Sequence, residues 1–368
     1  MTRPIDLTLA FAALAGAIAL ALPAGGGWSG SSLILWLAML VAIAALLFGR
    51  WAAVAAAALA LFGSIAGAVA LYGLVEAGAR GFTAAGLWVG ILALAALVWR
   101  ALERGATLGA ASRSSALGLA APVLFGLWLV YLWQVVTIGF AIPAVLLPAP
   151  TQIADVLGNS LGVLGEDFIQ TFVKSMIPGY VIGCVSGFVV AVLIDGVPFL
   201  QRGLLPVGNL ASALPIVGIA PIMVMWFGFD WPSKAAVVAI MTFFPMLVNT
   251  LTGLGALGRI EQDLMRTYAA GYGETLLKAR LPAALPFIFN ALKVNSTLAL
   301  IGAIVAEFFG TPIHGMGFRI SAGVGRMDIA LVWATIVVAA VTGSATYGLL
   351  AQLERGLTFW HPSYRKGS

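Results

Sequence analysis

Apolar runs of nearly uniform length, separated by short polar or glycine- and proline-bearing breaks, repeat along the whole chain. Crossing a hydrocarbon layer of ~30 Å as a helix takes roughly 17–25 residues. Runs of this kind lie at 7–24, 32–49, 52–75, 83–99, 116–139, 169–194, 204–228, 234–252, 284–309 and 329–352, a pattern that predicts about ten transmembrane helices. The expected fold class is therefore an all-α polytopic membrane protein. The seventh run carries Pro206, Pro215 and Pro221 and is expected to be broken or partly re-entrant. The first, Leu7 to Leu22, follows Arg3 and precedes Pro23. It reads as an uncleaved first span rather than a signal peptide, because further spans follow at once.

One polar interruption stands apart. From Asp263 to Pro286 the chain reads DLMRTYAAGYGETLLKARLPAALP, a charged island between the eighth and ninth runs. Glu274 and Lys278 stand four apart in the favourable acid-before-base order, and Leu276 and Leu277 supply an apolar side. Gly271 and Gly273 should break the preceding helical stretch and Pro282 should stop the next. The expectation is two short helices joined at a Gly-Tyr-Gly bend.

Charge orients the spans. With the amino terminus inside, Arg3, Arg50, Arg100, Arg104, Arg113, Arg202, Arg259, Arg266, Lys278, Arg280, Arg355, Arg365 and Lys366 all fall on the cytoplasmic side. Both termini and the island at 253–283 are then cytoplasmic. Arg80, Arg319 and Arg326 are left for the outer loops. The longest outer loop, Phe140 to Phe168, holds Asp155, Glu166 and Asp167, and its Leu147-Pro-Ala-Pro-Thr-Gln-Ile segment favours an extended entry into a short surface helix.

Composition removes the soluble alternatives. Hydrophobic residues make up 61% of 368 positions and charged residues 9%, and the mean hydropathy is +1.05, values a solvated globule does not reach. The net charge of +5 belongs to the loops and reads as membrane topology, not nucleic-acid binding. Cys184 is the single cysteine, which excludes an intrachain disulfide and a cysteine-based metal site. Near residue 110 the alanine-, leucine- and glycine-dominated runs give way to a linker with Arg100, Glu103, Arg104 and Arg113. Residues 1–110 are accordingly read as an accessory four-helix bundle and 111–368 as the core that carries the mechanism.

Within the core, Ser175, Gly179, Gly183, Gly187 and Ala191 recur every fourth residue of the sixth run, a stripe that lets two helices approach closely. Whether the partner helix lies in the same subunit or another stays open. Glu307, near the end of the ninth run, is either a functional carboxylate at depth or a hydrogen-bonded group at the outer interface. Lys293 in the same run is expected to snorkel towards the cytoplasmic headgroups. Met223, Met225, Trp226 and Phe227 offer adaptable and flat apolar surface for a translocation pathway, with lipid contact or core packing as the alternative. Gly253-Leu-Gly-Ala-Leu-Gly258 matches a dinucleotide fingerprint only formally, because it follows a membrane run and not a strand. No G-x-x-x-x-G-K-[ST] occurs, and His314 and His361 are isolated. The chain is read as no enzyme and as holding no metal or cofactor of its own.

The island resembles the cytoplasmic loop signature of binding-protein-dependent ABC importer permeases, E-A-A-x3-G-x9-I-x-L-P. Asp263 takes the acidic position, Ala269 the glycine position and Leu281-Pro282 the final pair, while Leu264 and Met265 replace the alanines and Ala279 the isoleucine. Leu147-Pro-Ala-Pro-Thr-Gln-Ile, the run from Leu214 to Gly228, and Arg280-Leu-Pro-Ala-Ala-Leu-Pro followed by Ala303-Ile-Val-Ala-Glu-Phe308 are similar to the nitrate, sulfonate and taurine branch, with its pyrimidine-precursor and riboflavin relatives.

The resemblance covers roughly residues 116–360 and implies a type I (MetI-like) permease core in the bacterial inner membrane. It further implies a second permease subunit in a homodimer, ABC ATPase subunits that bind ATP and Mg²⁺, and an extracytoplasmic solute-binding protein. By the same carry-over, Asp263, Arg266, Thr267, Tyr268, Ala269, Ala270, Gly271, Tyr272, Gly273, Glu274, Lys278, Leu281 and Pro282 would form the ATPase-coupling segment. With alanine at position 269, Gly271 or Gly273 is expected to take over the bend. An ion-coupled secondary transporter would instead show inverted repeats and paired charged broken helices, and a membrane scaffold would lean on the amino-terminal bundle.

Overall fold

The computed structural model describes residues 115–197, 215–310 and 313–359, with short pieces between 65 and 103 and between 199 and 203. The spans expected at 7–24 and 32–49, and the module boundary near 110, fall outside the described residues. Those at 52–75 and 83–99 are helical where described, at 65–69 and 88–96. Among the described residues the secondary structure is entirely helical. Contacts divide the chain into two compact units, Met1–Gln152 and Ile153–Ser368.

In the first unit, α1 (Ser115–Gly139) takes the place of the run at 116–139. The Tyr131 hydroxyl donates to the Ala68 carbonyl at 2.7 Å, and Trp88 stacks on Phe140 with ring centroids 4.2 Å apart. Helix α2 (Pro150–Asn159) is the short helix that the proline-rich entry predicts. Its start is fixed by Gln134, whose amide donates to the Thr151 hydroxyl at 2.9 Å and accepts from the Thr151 backbone N–H at 3.1 Å.

The second unit begins within α2, at Ile153, and continues with α3 (Leu161–Phe168), a π-helical turn at Ile169–Met176 and α4 (Ile177–Asp195), which join into one apolar rod. The rod starts at Leu161 rather than 169, because Asp167, Gln170 and Thr171 are buried and find partners inside the protein. Polar residues there do not require an end to the helix. Next come α5 (Ile216–Phe227) and α6 (Trp231–Leu254), separated by a turn in which Gly228 adopts φ +83. Asp230 caps α6 by accepting from the Trp231 N–H at 2.8 Å. Then follow α7 (Arg259–Thr267), α8 (Tyr272–Thr275), a second π-helical turn (Leu276–Arg280), α9 (Leu281–Glu307), α10 (Met316–Gly325) and α11 (Ile329–Leu357). Five described segments are long and apolar enough to cross a membrane: Pro122–Gly139, Leu161–Asp195, Trp231–Leu254, Tyr272–Glu307 and Ile329–Leu357.

The core of this unit is the trio α4, α6 and α9. The glycine stripe of α4 lies against α6 of the same chain, which settles its partner. A Cβ on Gly179 would stand 2.5 Å from the Ala235 carbonyl, one on Gly187 2.5 Å from the Phe243 carbonyl, and one on Gly183 would run into Thr242 and Ala239. Helix α9 meets α6 as closely: a Cβ on Gly253 would lie 3.0 Å from the Ala284 Cβ. Where hydrophobic burial drives nothing, dispersion at such backbone contacts holds helices together. Polar pins reinforce it, with the Asn295 amide donating to the Thr242 carbonyl at 2.8 Å and the Tyr180 hydroxyl to the Leu292 carbonyl at 3.0 Å.

Helix α11 is tied to α9 by a 2.6 Å ion pair between Lys293 and Glu354, both largely buried. The expected snorkelling of Lys293 is therefore corrected. A carboxylate on the neighbouring helix satisfies the ammonium, so it need not reach the headgroups.

Candidate functional site

Helix α7 has no buried residue. Its apolar side chains recur at four-residue spacing on the outside of the protein: Ile260 is 83% exposed, Leu264 54% and Tyr268 76%. An amphipathic helix normally turns such a stripe inward; this one presents it. Asp263 and Arg266 pair at 3.5 Å and Glu274 and Lys278 at 3.3 Å on the solvated surface, contacts that add little to stability.

The end of α7 departs from expectation. The Ala269 N–H donates to the Arg266 carbonyl at 2.9 Å and the Ala270 N–H to the Met265 carbonyl at 3.0 Å, the hydrogen-bond pair of a Schellman cap. Ala269 therefore carries the left-handed conformation, with φ +52. The bend does not pass to Gly271 or Gly273. Gly271 is extended (φ −70, ψ 173) and begins α8, and Gly273 lies inside it. Where the helix ends decides which residue must turn, and that residue follows Tyr268. Pro282 likewise does not stop a second short helix. It follows the second π-helical turn directly, where the i→i+5 register, carried by the Leu281 N–H to the Leu276 carbonyl, accommodates the gap that a proline leaves in a continuous helix. The second short helix is thus an extension of the span, continuous from Tyr272 to Glu307.

The base of this loop is closed by Asp195 and the Leu254 carbonyl, which lie outside the motif, together with Arg280 and Tyr272 at two of its unspecified positions. Arg280 holds Asp195 in a fork, with Nη1 to Oδ2 at 2.6 Å and Nη2 to Oδ1 at 2.8 Å. Its Nε donates to the Leu254 carbonyl at 3.0 Å, and the Tyr272 hydroxyl donates to Asp195 Oδ2 at 2.8 Å. The Asp195 side chain is 1% exposed. The last turns of α4 and α6, α8 and the second π-turn therefore meet at the Arg280–Asp195 ion pair. Spacing gives no hint of this pairing. The available signal is that Asp195 is the only acidic residue between Phe168 and Phe229.

At the opposite end of α9, Glu307 is buried and engaged. The Thr171 hydroxyl lies 2.9 and 3.0 Å from its two oxygens, and the Gly317 N–H donates to it at 2.7 Å. Asp167 accepts from the Gly315 N–H at 2.7 Å and from Arg319 Nε at 2.6 Å, while the Met316 N–H donates to Thr171 Oγ1 at 2.7 Å. Consecutive N–H groups at the start of α10 are thus capped by side chains from the first π-turn region and α9. Gly315, at φ +133, has its Cβ position 2.7 Å from the Glu307 carboxyl, so only glycine fits.

The proposed pathway residues separate. Met223 is buried with Ala220 against Val237 and Ala306, whereas Met225 is 83% exposed, Trp226 70% and Phe227 53%. Gly179, Gly183 and Gly187 lie in the α4–α6 contact. Among the described residues no group of three His, Cys, Asp or Glu side chains is placed to hold a metal.

Residues 179–359 match the family described as binding-protein-dependent transport system inner membrane component. The riboflavin transport system permease protein RibX of Chloroflexus aurantiacus is 30% identical over 250 residues, 67% of this chain and 91% of the relative. The formylaminopyrimidine transport permease protein ThiX of Halalkalibacterium halodurans is 29% identical over 243 residues, 65% of this chain and 95% of the relative. The putative aliphatic sulfonates transport permease protein SsuC of Bacillus subtilis is 28% identical over 238 residues, 64% and 86% of the two chains.

Proposed function

Because this chain belongs to the binding-protein-dependent transport system inner membrane components, we propose that it is the membrane-spanning subunit of an ATP-driven importer and takes its mechanical input through the loop at 259–280. The observation that carries this reading is α7, a helix with no buried residue and an outward stripe of Ile260, Leu264 and Tyr268. A stripe of that kind needs a partner surface. The partner is an ABC ATPase subunit that holds ATP and Mg²⁺, and hydrolysis takes place there. The chain pairs with a second copy of itself in the inner membrane, with both termini cytoplasmic, and receives a small solute from an extracytoplasmic binding protein. The names of the relatives span riboflavin, formylaminopyrimidine and aliphatic sulfonates, and the solute falls within the range of small anions and pyrimidine- or riboflavin-type compounds.

Closure of the ATPase pair displaces α7, and the unbroken helix from Tyr272 to Glu307 converts that displacement into tilting of a span. Met225, Trp226 and Phe227 are the most exposed large apolar groups described in α5 and form part of the solute route. Met223 and Glu307 serve it indirectly, the first by packing α5 onto α6 and the second by anchoring the turn at 315–317. Purification from native membranes should bring down an ATPase. Reversal of charge at Arg266 and Lys278 (R266E/K278E) should leave hydrolysis running while solute uptake in proteoliposomes collapses. Unchanged uptake in that variant would remove the coupling role.

A further inference from the structure

We propose that Asp195, Tyr272 and Arg280 form a latch that makes α4 and α6 move with the coupling loop, so that Asp195 is a positioning residue for coupling although it lies outside the loop. The inference rests on the ATPase-driven reading above. Covalent continuity alone carries a push on α7 into α9, through α8 and the second π-turn. On the α6 side the chain between Leu254 and Arg259 contains Gly255 and Gly258, a weak strut. Arg280 bypasses it by bonding the Leu254 carbonyl directly, which closes the loop at its base.

The same guanidinium reaches α4 through both oxygens of Asp195. A fork against a carboxylate fixes direction as well as distance, which a lysine in this place would not do. The pair is sheltered: the Asp195 side chain is 1% and the Arg280 side chain 21% exposed, so salt screens it far less than the surface pairs of the same loop. Tyr272 adds a bond from α8 to the same carboxylate oxygen. Above the latch, the glycine contacts of α4 with α6 and of α6 with α9 leave no slack between backbones. Tied at the base and interlocked along their length, the three helices respond as one block.

The test uses the full chain reconstituted with its ATPase and binding protein in proteoliposomes, reading solute moved per ATP hydrolysed alongside the affinity of the ATPase for the permease. Asp195→Asn and Arg280→Lys should keep ATPase affinity and hydrolysis and lower solute moved per ATP by about tenfold; Tyr272→Phe should lower it by less. A second reading uses spin labels at Leu193→Cys and Thr267→Cys, both on exposed positions, with the native Cys184 buried. The distance between them should stay fixed through the nucleotide cycle in the parent and spread in Asp195→Asn. An unchanged solute-to-ATP ratio overturns the latch, as does a loss of transport that only follows loss of folded protein or of ATPase binding. A parent chain that binds no ATPase overturns the functional reading and the latch with it. Normal ATPase binding with an unaffected Asp195→Asn ratio overturns the latch alone.

Discussion

Helix α9 begins at a loop whose apolar side chains face outward and whose ion pairs are solvated, and it ends at a turn whose carboxylates face inward and are fully engaged. At the first end Ile260, Leu264 and Tyr268 are exposed and only the Arg280–Asp195 fork is sheltered. At the second, Asp167, Thr171 and Glu307 are buried around the start of α10. The contrast separates two uses of polar groups near a membrane. Solvated pairs shape a surface for a partner at almost no cost to folding. Buried carboxylates need hydrogen bonds, and at Asp167 a cation as well, to repay their desolvation, and there they fix geometry. One end is built to be pushed and the other to hold still.

The strongest way to break this contrast is at the second end. Asp167→Ala would leave Arg319 without its partner, at 2.6 Å in the parent, and orphan the Gly315 N–H. Loss of one member of a buried pair costs about 3–5 kcal/mol. Thermal unfolding in detergent should show a large drop in midpoint, and a parental midpoint would mean that the network is dispensable. Glu307→Gln should be milder, because a carbonyl oxygen still accepts from Thr171 and Gly317.

The loop should respond in the opposite sense. Ile260→Asp and Leu264→Asp remove no buried contact, so the unfolding midpoint should not move. If the two side chains anchor an interface, each change should weaken ATPase binding by about 30-fold, the factor that corresponds to a hot spot of ~2 kcal/mol. Titration calorimetry or a pull-down series checks this. A shift in midpoint with unchanged affinity would reverse the assignment of α7.

What the sequence made legible in these two regions differs for physical reasons. Four spans of the second unit, Leu161–Asp195, Trp231–Leu254, Tyr272–Glu307 and Ile329–Leu357, follow from run length, whereas of the seventh run only α5 (Ile216–Phe227) is described and residues 204–214 lie outside the described residues. The α4 stripe follows from its period of four, because run length and period are local properties of a helix. Placement of the bend on Gly271 or Gly273 rested on which residue tolerates positive φ; the cap geometry puts the demand on Ala269 instead. In the sequence alone Lys293 reads as reaching for headgroups, because Glu354, its partner, lies 61 residues away. Asp195 with Arg280, and Asp167 with Arg319, are separated by 85 and 152 residues. No periodicity encodes such pairs. They are consequences of which helices pack side by side, and packing follows from glycine contacts whose partner the stripe alone does not name.

Ala269 offers the finest adjustment of the contrast. A residue with a Cβ in the left-handed region carries roughly 1–2 kcal/mol of strain, and the family signature places glycine there. Ala269→Gly relieves that strain, but glycine also loses more backbone freedom on folding, which offsets roughly 0.4–1 kcal/mol of the gain. The net should be a stabilisation of the α7 cap of between about 0 and 1.6 kcal/mol, visible as slower hydrogen exchange at the Ala270 amide, which bonds the Met265 carbonyl. Because α7 touches no core, the global midpoint should stay where it is. If exchange at Ala270 quickens in the glycine variant, the cap is held by something other than backbone geometry. In that case the alanine is a stiffener, and a loop that must transmit a push gains more from rigidity than it loses to strain.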